Sequence, residues 1–397
     1  MKRYLLLLLH VLGASLLCAQ DYAQFDSLTL KSQPIINVDK GKFLKDVNMI
    51  ANTRYQYQSD FLNGEAVDSR FLMADLRMEI MGKVGERIYY RIRDMYTSRD
   101  VQPRTRDQGR SSLDIAQVEY RVNNRLSVTG GRMMPEWGAY EFEINPIFFY
   151  GFNHLVNFGD HFQNGVVVKW KPAEKHLLSF QAVNSRGATF DEVYGDVPGV
   201  TASKAALGGT INWRGQLLGG KFNTVYSISL YNEAQDRNVT MLQLGNQLKL
   251  GRLTLYYDFK LSDDEIDRLG QVSSLVASEY AFRAQNVRYV EHWVKSEFFF
   301  KEKWSITLLG MVSQDNWFDT PSDLPAVNVA RTDRLRDSYC FQAALEHHIY
   351  KPQNLKLFVA FVGRYYNHTD YAKSQFGLSD YDTGQIMIGL VSPLVFF

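Results

Sequence analysis

The 397-residue sequence predicts an all-β fold: a transmembrane antiparallel β-barrel of about 16 strands, with a long third external loop folded into the lumen. Three observations carry this expectation. Many segments alternate apolar and polar residues with period two, their connections are by turns short and long, and the chain opens with an export-type leader.

The leader comes first. Met1-Lys2-Arg3 is basic, Tyr4–Leu17 is nearly all apolar, and Cys18-Ala19-Gln20 follows. Such a run is too short for a membrane-spanning helix, which needs about 20 residues. It reads as a signal peptide over 1–19, cleaved after Ala19. An anchor at Cys18 fits less well, because Leu17 is bulky where such cysteines follow a small residue. Cleavage removes Lys2 and Arg3 and takes the net charge from +1 to −1. It leaves Cys340 as the one cysteine, so no internal disulfide is expected. A balanced charge also argues against a nucleic-acid partner. Residues 20–46 are expected to form a periplasmic segment that tethers the chain or enters the barrel, which occupies 47–397.

The strands follow. Leu253, Leu255, Tyr257, Phe259 and Leu261 alternate with Thr254, Tyr256, Asp258 and Lys260. Phe222, Thr224, Tyr226, Ile228 and Leu230 repeat the pattern, as do Leu72, Ala74, Leu76, Met78 and Ile80. Short turns are predicted near 82–85, 123–124, 172–175, 214–216, 251, 301–303 and 351–354. Longer loops are predicted at 60–69, 98–111, 134–163, 186–203, 232–238, 263–288, 316–336 and 368–380. An even strand count places both ends on the short-turn side, the periplasmic side of an outer-membrane barrel. Tyr89, Tyr90, Trp170, Trp213, Trp293 and Trp304 are expected in aromatic girdles facing lipid. A soluble β-sandwich also alternates, but it explains neither the leader nor the alternating connections.

The C-terminal GLVSPLVFF is the last strand, which must pair with the first because an open edge cannot face lipid. Ile386, Ile388, Leu390, Leu394 and Phe396 form one apolar row. Met387, Val391, Val395 and Phe397 form another, so the pattern alone leaves open which Phe faces lipid. Pro393 cannot donate to a ladder and should sit near the strand's end.

Charge on the lipid face at mid-membrane costs about 2–4 kcal/mol for Arg or Lys, so charged rows point inward. Read this way, the inward bases are Arg54, Arg77, Arg91, Arg93, Arg121, Lys169, Lys221, Lys249, Lys260, Lys295, Lys356 and Arg364. The inward acids are Asp75, Glu79, Glu119, Asp258, Glu291, Glu297 and Glu346. Bases therefore exceed acids by five. Asp94, Asn246 and Arg132 fall on the lipid face, the last unless Gly130-Gly131 holds a bulge. These charges also have the plainer reading of a solvated wall with mutually cancelling pairs.

Segment 134–163 is unlike the other loops. It holds Glu136, Glu141, Glu143 and Asp160, no Lys or Arg, and nine aromatics that include Trp137, Tyr140 and Phe149. A loop this apolar should pack, and the barrel interior is the nearest wall. There it would form a constriction with four acids facing a basic wall.

The stretch GGRMMPEWGAYEFEINPIFFYGF (Gly130–Phe152) resembles the phosphate-selective porin O and P family, as do NGVVVKW and VNSRGATFDEVYG further on. The similarity runs through most of the mature chain and is strongest over 68–195. The resemblance implies a passive outer-membrane channel for small polar solutes, with an anion or phosphate preference and a homo-trimer in the lipid bilayer. It also implies a ladder of lumenal bases, for which Arg54, Arg77, Arg91, Arg93, Arg121 and Lys169 are candidates. A terminal aromatic resembles the signal read by barrel-assembly machinery. Acids in the loop opposite a basic wall are also the arrangement of general porins, which weakens the case for phosphate selectivity.

No catalytic set is expected. There is no G-x-S-x-G, the adjacent His347 and His348 face opposite ways, and Asp263–Asp267 lacks the spacing of a calcium loop. His154, His161 and Asp160 are the nearest approach to a metal set, and no cofactor is expected. The rival to a channel is a plugged barrel that docks a partner through its loops, and single-channel conductance separates the two.

Overall fold

The computed structural model describes residues 47–97, 113–318 and 333–396. The predicted leader, the 20–46 segment and Phe397 lie outside these residues. The strands are β1 Val47–Leu62, β2 Glu65–Val84, β3 Ile88–Met95, β4 Leu113–Asn123, β5 Leu126–Met133, β6 Gln163–Ala173, β7 His176–Asn184 and β8 Leu207–Leu217. They continue as β9 Phe222–Ala234, β10 Arg237–Leu250, β11 Leu253–Asp264, β12 Val287–Lys301, β13 Trp304–Trp317, β14 Arg334–Tyr350, β15 Leu355–His368 and β16 Tyr381–Val395. Each pairs antiparallel with its chain neighbours, and β1 against β16 closes the barrel, with Ile50 opposite Val395 and Leu62 opposite Thr383. Closure removes the edges that hydrocarbon would not tolerate.

The period-two pattern sorts the side chains by face. Ile386, Ile388 and Leu390 are exposed on the outer face of β16, while Met387, Val391 and Val395 are buried. The even row therefore faces lipid as far as Leu390. Pro393 stands opposite Asn52 of β1, beyond Val391, where the pairing with β15 ends. Gln353 takes over there, accepting from Val395 N at 2.9 Å and from Ser392 Oγ through its carbonyl at 2.9 Å. The missing N–H of proline thus falls outside the β15 ladder.

Several expectations are corrected. The connections predicted as loops at 60–69 and 232–238 are two-residue turns, Asn63-Gly64 and Gln235-Asp236. Asn63 and Gly64 both take positive φ, 50° and 81°, the pairing that a tight hairpin needs. The turn placed at 214–216 lies instead at 218–221, because Gly219 and Gly220 supply positive φ values of 67° and 83°. β8 thereby gains Arg214. A register shift beside Arg54 in the β1–β2 ladder skips Ala74, so Phe71 and Met73 join the exposed face instead of Leu72 and Ala74.

Two aromatics are misplaced in the expected girdles. Trp293 is fully buried, 5.8 Å between centroids from Phe149, and Tyr89 lies under the Arg121 guanidinium at 3.6 Å. Gly130-Gly131 hosts no register shift; Gly131 adopts φ 128°, and buried Arg132 donates from Nε to Leu113 O at 3.1 Å. Asn246 does share the outer face, where Tyr226 Oη donates to its amide oxygen at 2.7 Å.

Candidate functional site

Several bases of the inward wall stand in ion pairs. On β2, Arg77 meets Asp75 at 2.8 Å, and Glu79 of β2 is paired with Arg91 of β3. Arg93 lies 3.4 Å from Asp114 of β4, and Arg121 lies 2.8 Å from Glu119. Arg54 donates to the carbonyls of Ile147 and Phe149. Lys356 of β15 meets Glu346 of β14 at 2.8 Å. Of the six ladder candidates, Arg54, Arg77 and Arg93 are buried, whereas Arg121 is largely exposed.

Segment 134–162 is bonded to side chains of β1, β6, β7, β8, β9, β11, β12, β13, β14 and β15. Seven of its nine aromatics are buried, Phe158 and Phe162 less so. Trp137 donates from Nε1 to Tyr231 Oη at 2.8 Å, and Phe149 packs on Trp293. Two glycines allow backbone to meet backbone. A methyl on Gly138 would lie 2.8 Å from Gln243 O, and one on Gly245 would lie 3.0 Å from Ala139 Cα.

The segment contains two short helices, α1 (Tyr140–Glu143) and α2 (His154–Phe158), and neither N-cap residue caps with its own side chain. The wall does it for them. Asp258 of β11 accepts from Tyr140 N and Glu141 N, each at 2.9 Å, and Glu291 of β12 accepts from Leu155 N at 2.8 Å. Free N–H groups in the first helical turn need such acceptors. Lys260 stands between, paired with Glu141 and 3.3 Å from Glu291, all three fully buried. Glu141 also accepts from Asn153 N at 2.7 Å.

The remaining acids of the segment are also engaged. Glu136 is 2.9 Å from Lys169 and 2.6 Å from Arg214, and Glu143 is 2.8 Å from Arg214. Asp160 accepts from Phe162 N. Three of the four acids are thus ion-paired to bases of the wall. His154 lies 3.7 Å from Asp315, whereas His161 packs on Trp137 and Phe142, so the two histidines have separate neighbours. Among the described residues no cluster of three or more His, Cys, Asp or Glu residues is placed to hold a metal.

A cavity of about 1240 Å³ opens among the short turns and is floored by this segment. Arg125, Glu174 and Lys175 of the turns line it, with Glu136, Tyr140, Glu143 and Phe148 of the segment. In all, eleven Lys and Arg residues line it against six Glu. Of the six, Glu119, Glu136, Glu143 and Glu346 are ion-paired to bases that also line it.

The model of the phosphate-selective porin O and P family matches residues 47–387. The chain belongs to that family. It is accordingly a porin, a passive diffusion channel of the outer membrane. No curated protein matches its sequence. Among solved structures, the outer-membrane channel DcaP of Acinetobacter baumannii is similar with a TM-score of 0.60 at 13% identity, covering 90% of this chain and 100% of that one. The anion-selective porin from Comamonas acidovorans has a TM-score of 0.55 at 10% identity, covering 87% and 99%. OmpT of Vibrio cholerae has 0.54 at 8%, covering 90% and 99%. At these identities the likeness is one of fold.

Sequence reasoning overlooked several charged residues of this porin's interior. Arg214 was assigned to a turn. Arg336, paired with Asp315 at 2.6 Å, was assigned to a loop. Arg268, 3.4 Å from buried Glu233, ties the 265–286 loop to β9. Each sits just beyond the point where alternation fades, so period two gave no signal.

Proposed function

We propose that the porin passes small hydrophilic solutes with a weak preference for anions, phosphate among them, and that segment 134–162 is its lumenal constriction. The observation that carries the selectivity is the cavity lining, in which bases outnumber acids and most acids are already paired. Paired carboxylates contribute little net field, so the excess of bases governs the potential met by a solute. The constriction reading is supported by bonds from one segment to ten strands and by its buried aromatics. Sixteen strands enclose an aqueous space wide enough for such a segment. The anion-selective Comamonas porin shares this fold and lends the reading weight.

The same reading includes a homo-trimer, as OmpT has a trimer form, and export by a leader cleaved after Ala19. It also includes recognition of the C-terminal aromatic by barrel-assembly machinery. The test is the reversal potential of purified porin in a potassium chloride gradient near 0.1 M, where the screening length is about 10 Å. A potential of anionic sign that phosphate reduces along with the current supports the reading. A cationic sign with no effect of phosphate rejects it.

A further inference from the structure

Arg214 reaches the cavity from β8 and holds two carboxylates at once. One guanidinium lies 2.6 Å from Glu136 Oε2 and 2.8 Å from Glu143 Oε1. Glu136 precedes α1 and Glu143 ends it, seven positions apart, and both line the cavity together with Arg214. Asn212 orients the arrangement, accepting from Arg214 Nη1 at 2.8 Å and donating to the Glu136 carbonyl at 3.0 Å. Glu141, by contrast, is sealed against Lys260 and does not line the cavity. Glu136 and Glu143 are therefore the segment's carboxylates that meet the solute path.

We propose that Arg214 is a specificity-determining residue: it sets ion selectivity by masking these two carboxylates, and its effect exceeds that of one charge among many on the wall. This rests on the anion reading above. A planar fork with five donors can satisfy two separate carboxylates, whereas an ammonium is a compact point charge with a different reach. Lys169 backs the mask on Glu136 alone, at 2.9 Å. Glu143 has no other ion-pair partner among the described residues. Loss of Arg214 thus turns Glu143 into an open negative charge on the cavity wall, where fixed charge acts directly on passing ions.

The experiment uses the purified full chain in planar bilayers, reading reversal potential and conductance in a potassium chloride gradient. Heat-modifiable gel migration establishes folding of each variant. Arg214→Lys keeps the net charge, yet it should lower the anion-to-cation permeability ratio. Arg214→Gln should lower it further, and by more than Arg125→Gln, which removes one charge from the same cavity without touching the segment's acids. Adding Glu136→Gln and Glu143→Gln to Arg214→Gln should raise the ratio above wild type. If Arg214→Gln does not fold, Glu143→Gln in the wild-type background should raise the ratio by more than Glu174→Gln, since it leaves Arg214 with one carboxylate in place of two; an equal rise overturns the mask. Equal shifts for Arg214→Gln and Arg125→Gln, or an unchanged ratio in Arg214→Lys, overturn the mask. A cation-selective wild type overturns the anion reading instead, and the Arg214→Lys comparison still decides the mask.

Discussion

Two charged regions of this barrel use the same residue types in opposite ways. At the β11–β12 wall, Lys260, Glu141, Glu291 and Asp258 are wholly buried, and every carboxylate there bonds backbone N–H groups of segment 134–162. Around the short turns, Arg125, Lys171 and Lys175 line an open cavity. A buried ion pair adds little stability beyond an apolar replacement, but breaking it is severe, because one charge stays behind without water. An exposed pair adds about 0–1 kcal/mol and is screened by salt. The difference teaches that solvation, and not residue type, separates the charges that bind segment 134–162 from those that line the open cavity.

The sharpest way to break this comparison is Lys260→Met. It strands Glu141 and Glu291 in a dry site and should destabilise the porin by about 3–5 kcal/mol. Urea unfolding followed by tryptophan fluorescence measures it. A loss no larger than that of Lys249→Met would mean that the two regions do not differ in the way argued.

Gly138→Ala probes the seat of the segment on β9 and β10 without altering charge. The added methyl meets Ser227 N and Gln243 O, so the segment must lift where it touches β9 and β10. Because several bonds of the segment lie nearby, including that from Gly138 N to Ser227 Oγ at 2.8 Å, the shift should raise single-channel conductance. Deleting about ten residues from Phe142 to Gly151 should raise it as well while the barrel folds. Unchanged conductance in both folded variants argues that the segment does not narrow the path.

Much of the barrel was legible because hydrocarbon enforces period two. Where lipid does not reach, the rule lapses. NGEAVDSR after Leu62 reads as a polar loop, yet Asn63-Gly64 turns the chain at once and the polar residues continue as β2. The segment was legible as a packing loop from its aromatics, but its bonding was not. Asp258 and Glu291 read as wall charges, and nothing local in the sequence says that they cap helices more than a hundred residues away. Arg214 was hidden by the Gly215-Gln216 that follows it, a turn signal in the chain that the fold uses as strand.

The β2–β4 wall combines features of the two regions, with Arg91 lining the cavity and Arg93 buried. Replacing Arg91 and Arg93 together by Gln removes the ion pairs of Glu79 and Asp114 with these two arginines. The reversal potential should move toward cation preference at low salt. The Arg91 side chain is 18% exposed and that of Arg93 only 6%, so Arg91→Gln alone should produce most of the shift in potential, and Arg93→Gln most of the loss in stability. The reverse assignment, read from reversal potentials and urea midpoints of the single variants, would show that exposure is a poor guide to which charge an ion meets.

The smallest effect is expected at the turns. Lys175 lines the cavity from the turn between β6 and β7, next to Glu174. Lys175→Gln should leave the urea midpoint within about 0.5 kcal/mol of wild type, as for other surface changes that break no buried contact. Its potential acts across water, so it should lower the anion preference slightly at low salt. That shift should vanish near 1 M, where the screening length is about 3 Å. Arg214→Gln, acting at short range beside the segment, should keep part of its shift at the same salt. Two variants of equal formal charge change should therefore part company as salt rises. If both shifts fade together, the cavity behaves as one solvated basin, and the distinction between masked and open charge fails at the pore itself.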